Sequence, residues 1–275
     1  MSLVAGIDCG SGFTKAVLIS RDGDHDPLVV GRGRAHSGIN MTEAAQSALE
    51  MALETIGITR ERLDYVATTG FGRYGVGFRD IQITEITSGA RGAYFLFPEA
   101  GCVLDIGSQC TRAIQLRESG KVRHFKTNDK CAAGSGMFIV RAAKYLEVDI
   151  EKVGELSLGA TSPQPISSVC AVLAESEIIN HDSAGVSVEN ILRGIHESLA
   201  DRSVAMLRRV GLQGSLVFIG GVARQAGIVK ALEDKLGVRV DVPEECEHVC
   251  ALGAALLGLR RFEMRESQAK LSRVS

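Results

Sequence analysis

Residues 6–19 read GIDCGSGFTKAVLI, and residues 103–116 read VLDIGSQCTRAIQL. At a constant offset the two stretches match Asp8 with Asp105, Gly10 with Gly107, Ser11 with Ser108, Thr14 with Thr111 and Ala16 with Ala113, and Lys15 meets Arg112. A segment carried twice implies two related halves, each offering the same turn to a common ligand. Each copy reads as an apolar strand, an Asp-x-Gly-Ser turn and a second apolar strand. Glycine in such a turn admits a positive φ, and successive backbone N–H groups form a concave nest for an anion. Ser11 and Thr14 add hydroxyl donors, and Lys15 adds a charge able to reach a phosphate. Asp8 and Asp105 stand just ahead of the turns. A carboxylate beside a phosphate is repelled unless Mg²⁺ lies between them or the carboxylate orients a water. Two hairpins facing each other across a cleft are therefore expected to clamp a Mg-nucleotide. A single Asp-Gly-Ser turn is ordinary hairpin chemistry; its repetition with the same flanks points to a ligand. No GxxxxGK[ST] occurs, so this is not a Walker A loop.

The composition narrows the class. The chain has 275 residues, 45% of them hydrophobic, enough for one large or two medium domains. Lys and Arg number 31 against 33 Asp and Glu, for a net charge of −2, which gives no basic face for nucleic acid or an anionic membrane. Aromatic residues are 5% with no Trp, a poor base-stacking inventory. MSLVAGIDCG lacks the basic-then-apolar pattern of a secretory signal. The apolar stretch 249–259 is too short to span a bilayer. Seven Cys, an odd number without a secretory pattern, argue against a disulfide framework. A cytoplasmic protein is expected, with some thiols available as ligands.

Along the chain, residues 3–19 read as a strand hairpin and 28–34 as a further strand. Asn40-x-x-Glu43 resembles a capping box, after which Ala44, Ala48, Leu49, Ala52, Leu53 and Ile56 recur at helical spacing. Residues 64–69 form a short buried strand entering the turn GFGR, and 86–97 a helix. Gly101 opens the second half. Strands alternating with helices indicate an α/β architecture. Near the end, an apolar strand at 216–219 meets Gly220-Gly221, with a helix from about 224 to 236. A strand–Gly-Gly–helix unit lets backbone approach a nucleotide closely, although on its own it is equally a generic α/β turn. The halves are expected at 1–98 with 249–275, and at 99–248.

Two cysteines stand apart. Cys131, in TNDKCAAGSGMFIVRAAKYL, and Cys170, in ISSVCAVLAESEIIN, each precede a helical pattern, with Ser167-Ser168 as the expected cap of the second helix. A helix N-terminus favours thiolates and anionic ligands, although a free Cys is often only a small buried hydrophobe. Two Cys per chain do not complete a four-ligand iron–sulfur cluster, so a cluster would need two subunits, each donating Cys131 and Cys170. Cys9, Cys102, Cys110, Cys246 and Cys250 read as packing residues.

The stretches GIDCGSGFTK, ATTGFGR, DIGSQCTRAI, NDKCAAGSG, ISSVCAVLAESEII, GGVA and ALGAALLG, spread over residues 6–258, resemble the ATP-dependent activators of 2-hydroxyacyl-CoA dehydratases and the ATP-binding subunits of benzoyl-CoA reductase. NDKCAAGSG and SSVCAVLAESE are the specific ones; the phosphate hairpins are shared with actin, sugar kinases and heat-shock chaperone ATPases. The resemblance implies two duplicated ribonuclease-H-like domains, with ATP and Mg²⁺ held by Gly10, Ser11, Gly12, Thr14, Lys15, Gly107, Ser108 and the adenosine segment Gly220, Gly221, Val222, Ala223. It implies a 4Fe–4S cluster bridging two subunits through Cys131 and Cys170. ATP hydrolysis would drive a low-potential electron to a partner iron–sulfur protein carrying a CoA-thioester, with ferredoxin or flavodoxin as donor. Asp8, Asp105 and Gln109 are the expected catalytic groups, Gln109 or Asp8 positioning water at the γ-phosphate.

The activators usually carry DIGGQD where this chain has DIGSQC, so Ser108 replaces a Gly and Cys110 an acid. With SGARGA and NILRGIH, this leans the reading toward the small ATP-binding subunit of benzoyl-CoA reductase, in which two non-identical ATPase subunits would share the cluster. The competing readings are a homodimeric dehydratase activator, a small-molecule kinase of the same superfamily such as one acting on an amino sugar, and an actin-like or chaperone-like scaffold.

Overall fold

The computed structural model describes residues 1–128, 134–167 and 170–274. The chain divides into two units, Met1–Pro98 with Glu247–Ser275, and Glu99–Cys246. The return to the first unit thus falls at Glu247, slightly ahead of the expected 249.

In the first unit, β1 (Ser2–Cys9), β2 (Phe13–Arg21) and β3 (Leu28–His36) form an antiparallel meander. Helix α1 (Met41–Glu54) follows, then β4 (Tyr65–Thr69), β5 (Ile81–Gln82) and α2 (Glu85–Leu96). The sheet order is β3-β2-β1-β4-β5, with β4 and β5 parallel to their neighbours. The Asn40 side chain accepts from the N–H groups of Thr42 and Glu43 at 3.1 and 3.3 Å, ending the loop and starting α1. That helix turns Ala45, Ala48, Leu49, Ala52 and Leu53 onto one face of the sheet. Helix α8 (Val249–Val274) covers the other face with Ala251, Leu252, Ala255, Leu256 and Leu259, beside Val4, Val17 and Ile19. It lies so close to β1 that a Cβ on Gly6 would stand 2.0 Å from the Ala251 carbonyl oxygen, so that position accepts only glycine.

The second unit repeats the plan. Strands β6 (Ala100–Ile106), β7 (Thr111–Leu116) and β8 (Val122–Asn128) form the meander, and β9 (Ser215–Ile219) and β10 (Val240–Asp241) add in parallel, in the order β10-β9-β6-β7-β8. Read from the meander edge, the strand orders coincide. The expected regular alternation of strand and helix is therefore incomplete, because three strands come first in each half.

The halves differ at one joint. Between β3 and β4 the first unit places the α-helix α1, whereas between β8 and β9 the second carries α3 (Gly136–Tyr145), the short α4 (Val153–Leu156), α5 (Ala171–Ser183) and α6 (Val188–Val210), and α7 (Ala226–Leu236) follows β9. Helix α6 buries Ile191, Leu192, Ile195, Leu199, Val204 and Leu207 at helical spacing, against Phe138 and Ile139 of α3 and Phe218 of β9. Each such large side chain contributes about 1.5–3 kcal/mol on leaving water. No helix among the described residues is long and apolar enough to cross a membrane.

Candidate functional site

The turn between β1 and β2 is built from within the first unit. The ladder places Asp8 opposite Lys15, and Asp8 Oδ2 lies 2.8 Å from Lys15 Nζ, which also donates to the Phe13 carbonyl at 3.1 Å. Lys15 is thus held at the strand end by contacts that include this carboxylate and this carbonyl. The Ser37 hydroxyl donates to the Gly10 carbonyl at 2.5 Å, so its contact of 3.0 Å with Thr14 has the Thr14 hydroxyl as donor. The Ser37 N–H closes onto the Gly12 carbonyl at 3.2 Å. The Thr14 hydroxyl therefore braces the turn from behind, and Ser11, half-buried, lies at its tip.

The second turn repeats the ion pair. Asp105 Oδ2 stands 2.8 Å from Arg112 Nη1, the two being opposed in the ladder like Asp8 and Lys15. The Gly107 N–H donates to the Cys110 carbonyl at 2.9 Å, Gln109 is exposed, and Cys110 is half-buried. Two further bonds tie this turn to the helix behind it: the N–H groups of Gly136 and Met137, the first residues of α3, donate to the carbonyls of Gly107 and Ser108 at 2.9 and 2.8 Å. The Thr111 hydroxyl donates to the Gly134 carbonyl.

The expectation that Gly10 and Gly107 serve through a positive φ does not hold, since neither has one. At Gly10 the demand is steric, because a Cβ would stand 2.7 Å from the Phe13 carbonyl oxygen. The positive-φ glycines lie on the neighbouring strands. Gly70 follows β4 at φ +91, where a Cβ would come 2.6 Å from Asp8 Oδ1 and 2.5 Å from the Cys9 carbonyl oxygen. Gly220 follows β9, also at φ +91, where a Cβ would come 2.7 Å from Asp105 Oδ1 and 2.5 Å from the Ile106 carbonyl oxygen. The duplication thus includes a glycine beside each aspartate. Thr69, beside Gly70 and opposite Asp8 in the ladder, has a buried hydroxyl without a hydrogen-bond partner among the described residues.

After Gly220 the chain makes a 3₁₀ turn, Gly221–Arg224, with Val222 and Ala223 buried, before α7 starts at Ala226 rather than at 224. A Cβ on Gly221 would meet nothing within 4 Å.

Cys131 lies outside the described residues. Cys170 is the N-cap of α5, half-buried and extended (φ −144°, ψ 137°), and its carbonyl accepts the first helical bond from Ala174 at 3.0 Å. Cys170 therefore holds the position expected for Ser167-Ser168. Ser168 lies outside the described residues, and the Ser167 N–H instead donates to Glu177 Oε2 at 2.5 Å. The first turn of α5 contains no acidic residue, and Cys170 itself gives it no side-chain cap. Its leading N–H groups and positive dipole end lie beside the Cys170 thiol, which suits a ligand to an anionic group. Burial pushes the Cys9 thiol up to about 12, with Asp8 adding to the rise, and burial also raises Cys102. These two behave as packing thiols. Among the described residues no three His, Cys, Asp or Glu side chains gather into a metal site.

A model described as the BadF/BadG/BcrA/BcrD ATPase family matches residues 5–258. The activator of lactoyl-CoA dehydratase from Anaerotignum propionicum is 42% identical over 252 residues, 91% of this chain and 95% of that protein. A benzoyl-CoA reductase subunit from Thauera aromatica is 39% identical over 269 residues, 96% of this chain and 95% of that one. Among solved structures, the activator of the 2-hydroxyisocaproyl-CoA dehydratase from Clostridium difficile, with bound ADPNP, aligns with a TM-score of 0.90 at 35% identity, covering 97% of each chain. More distant structural likenesses, below 25% identity, agree with the fold of the actin, sugar-kinase and chaperone ATPase superfamily.

Proposed function

Since the chain belongs to the BadF/BadG/BcrA/BcrD ATPase family, we propose that it hydrolyses ATP to drive a low-potential electron from a 4Fe–4S cluster, shared by two ATPase subunits, into a partner acting on an acyl-CoA. The observation that carries this reading is the pair of backbone bonds from Gly136 and Met137 to Gly107 and Ser108. They make the second phosphate turn continuous with the helix that follows the Cys131 segment, so a change at the phosphate reaches a cluster ligand without leaving one unit.

In this reading Gly10, Ser11, Gly12, Thr14 and Lys15 shape the first phosphate turn, and Gly107 and Ser108 the second. Gly220, Gly221, Val222 and Ala223 receive the adenosine. Packing makes no demand for glycine at 221, which is what a position reserved for a bound group would look like. Asp8 and Asp105 bind Mg²⁺ or its waters, and Gln109 orients the attacking water. Lys15 and Arg112 hold the two carboxylates in place. Cys170, at the start of α5, and Cys131 hold the cluster, which when bound supplies one-electron transfer.

The dehydratase-activator form of this function stands first, on the higher identity and the close structural match. The side chains that lean toward the reductase, Ser108 and Cys110, sit at positions that hold the turn through their carbonyl groups. A reductase component paired with a non-identical ATPase is the second reading, favoured by the identity with the Thauera aromatica protein.

The experiment is an iron and sulfide assay on protein purified without oxygen. About two irons per chain, lost in Cys131→Ser and in Cys170→Ser, are expected for a four-iron cluster held by two subunits. Iron only on co-expression with a second ATPase subunit would favour the reductase form. No iron in any preparation, with ATP turnover dependent on an added sugar, would replace the proposal with a kinase.

A further inference from the structure

Helix α5 is lightly anchored. Only Ala174 and Ile178 are buried, while Val172, Leu173 and Ile179 are 67%, 54% and 48% exposed. What apolar packing leaves undone falls to two carboxylates on the helix. Glu177 accepts from the Ser167 N–H and fixes the approach to Cys170. Glu175 reaches α3: its Oε1 accepts from Arg141 Nη1 at 3.2 Å and its Oε2 from the Tyr145 hydroxyl at 3.3 Å. Arg141 and Tyr145 stand one turn apart and so share a face of α3. Each takes one oxygen of the same carboxylate, which fixes the direction of Glu175 as well as its distance. The Glu175 side chain is itself only 17% exposed.

The other end of α3 is bonded to the second phosphate turn through Gly136 and Met137. A continuous run of direct bonds therefore leads from Gly107 and Ser108, along one rigid ten-residue helix, to Glu175 and the helix headed by Cys170.

We infer that Glu175 is a positioning residue that makes the Cys170 helix follow the nucleotide state of the second phosphate turn. The inference rests on the proposed function, in which that turn holds phosphate and Cys170 a cluster. A shift of the turn carries the first residues of α3, because both of its leading N–H groups are bonded to the turn. Arg141 and Tyr145 move with the helix, and Glu175 converts that motion into displacement of α5, which two small apolar contacts resist weakly. An ion pair with one half-exposed partner adds little to stability. Its value here is directional, and the quantity it changes is the coupling between two sites.

The test is hydrogen–deuterium exchange on the full chain, with and without Mg²⁺ and a non-hydrolysable ATP analogue, with iron and nucleotide affinity measured on the same preparations. In the wild type the nucleotide alters exchange in both 136–145 and 171–183. In Glu175→Ala the response at 136–145 persists and that at 171–183 falls by about fivefold or more. Tyr145→Phe, which keeps the Arg141 contact, loses part of it, and Arg141→Gln serves should Glu175→Ala fail to fold. A response at 171–183 that is unchanged in Glu175→Ala, or missing from a wild type that binds nucleotide, overturns the inference. Absence of both iron and nucleotide binding in the wild type is a different result, and it removes the proposed function together with what rests on it.

Discussion

Asp105 and Arg112 face each other across the β6–β7 ladder at 2.8 Å, as Asp8 and Lys15 do across β1–β2 at the same distance. In both pairs the side chains are mostly withdrawn from water, at 6% and 14% exposed in the first and 11% and 13% in the second. Removing one partner of such a pair takes a close compensating charge from a site mostly withdrawn from water, which costs up to about 3–5 kcal/mol. Arg112→Ala is therefore expected to lower the unfolding free energy by that order, and Arg112→Lys to recover part of it. Chemical denaturation reads this directly, and an Arg112→Ala chain as stable as the wild type would show that the pair is not electrostatically isolated. Asp105→Asn leaves the Arg112 guanidinium without that carboxylate, so it should abolish ATP turnover together with a loss of stability.

Gly220 and Gly221 are adjacent but are expected to respond oppositely to alanine. Gly220 has a positive φ, and its Cβ would press on Asp105 Oδ1 and the Ile106 carbonyl oxygen, so Gly220→Ala should cost about 1–3 kcal/mol or more. Gly221→Ala meets open space and should stay within about 0.5 kcal/mol of the wild type. Its effect is expected in nucleotide affinity, measured by calorimetry. Unchanged affinity would remove Gly221 from the adenosine site.

His196 makes stability depend on pH. It is fully buried, its Nδ1 lies 2.9 Å from the Ser157 hydroxyl, which donates to the Gly154 carbonyl at 3.1 Å, and its Nε2 has no hydrogen-bond partner among the described residues. Burial, with Arg193 as a lesser cause, pushes its pKa down from 6.5 to about 3. Between those values the unfolded chain binds a proton that the native one refuses. The stabilisation is thus complete above pH 6.5 and declines as pH falls through the window toward 3, on the order of 1 kcal/mol per pH unit. Urea midpoints at pH 7 and pH 5 test this. His196→Gln, which does not titrate, should show a shallower decline, and an equal decline would mean that other groups set the acid limb.

Thr69 offers a cleaner separation of stability from function. Its hydroxyl is buried without a partner among the described residues, so Thr69→Val, close in shape, should leave the fold unharmed or stabilise it by up to about 1 kcal/mol. A loss of stability on thermal unfolding would reveal a hydrogen bond at that oxygen. Loss of ATPase activity at unchanged stability would give the hydroxyl a part beside Asp8.

The duplication is legible in the sequence because its elements are local. Asp, Gly, the hydroxyl residue and the basic residue fall within a few positions of one another in each hairpin, and strand pairing converts that spacing into the ion pairs. The brace from Ser37 to Gly10, and the approach of Gly70 to Asp8, are not legible, because they join residues brought together only when β3 and β4 take their places in the sheet. Cys170 is legible as the head of a helix but not as its cap, since serine is the commoner capping residue and two stand just before it. The Glu175 contacts belong to packing between α3 and α5, for which neither segment carries a local signal.

The first unit's sheet has one face covered by α8, although the whole second unit lies between them in the chain. During synthesis, β1 to β5 and α2 emerge with that face bare, while every strand and helix of the second unit is complete before α8 leaves the ribosome. The unit that begins first is thus finished last. A released chain ending before 249 would carry every strand of the second half joined to an open, apolar first half, the state in which a chaperone would be most needed.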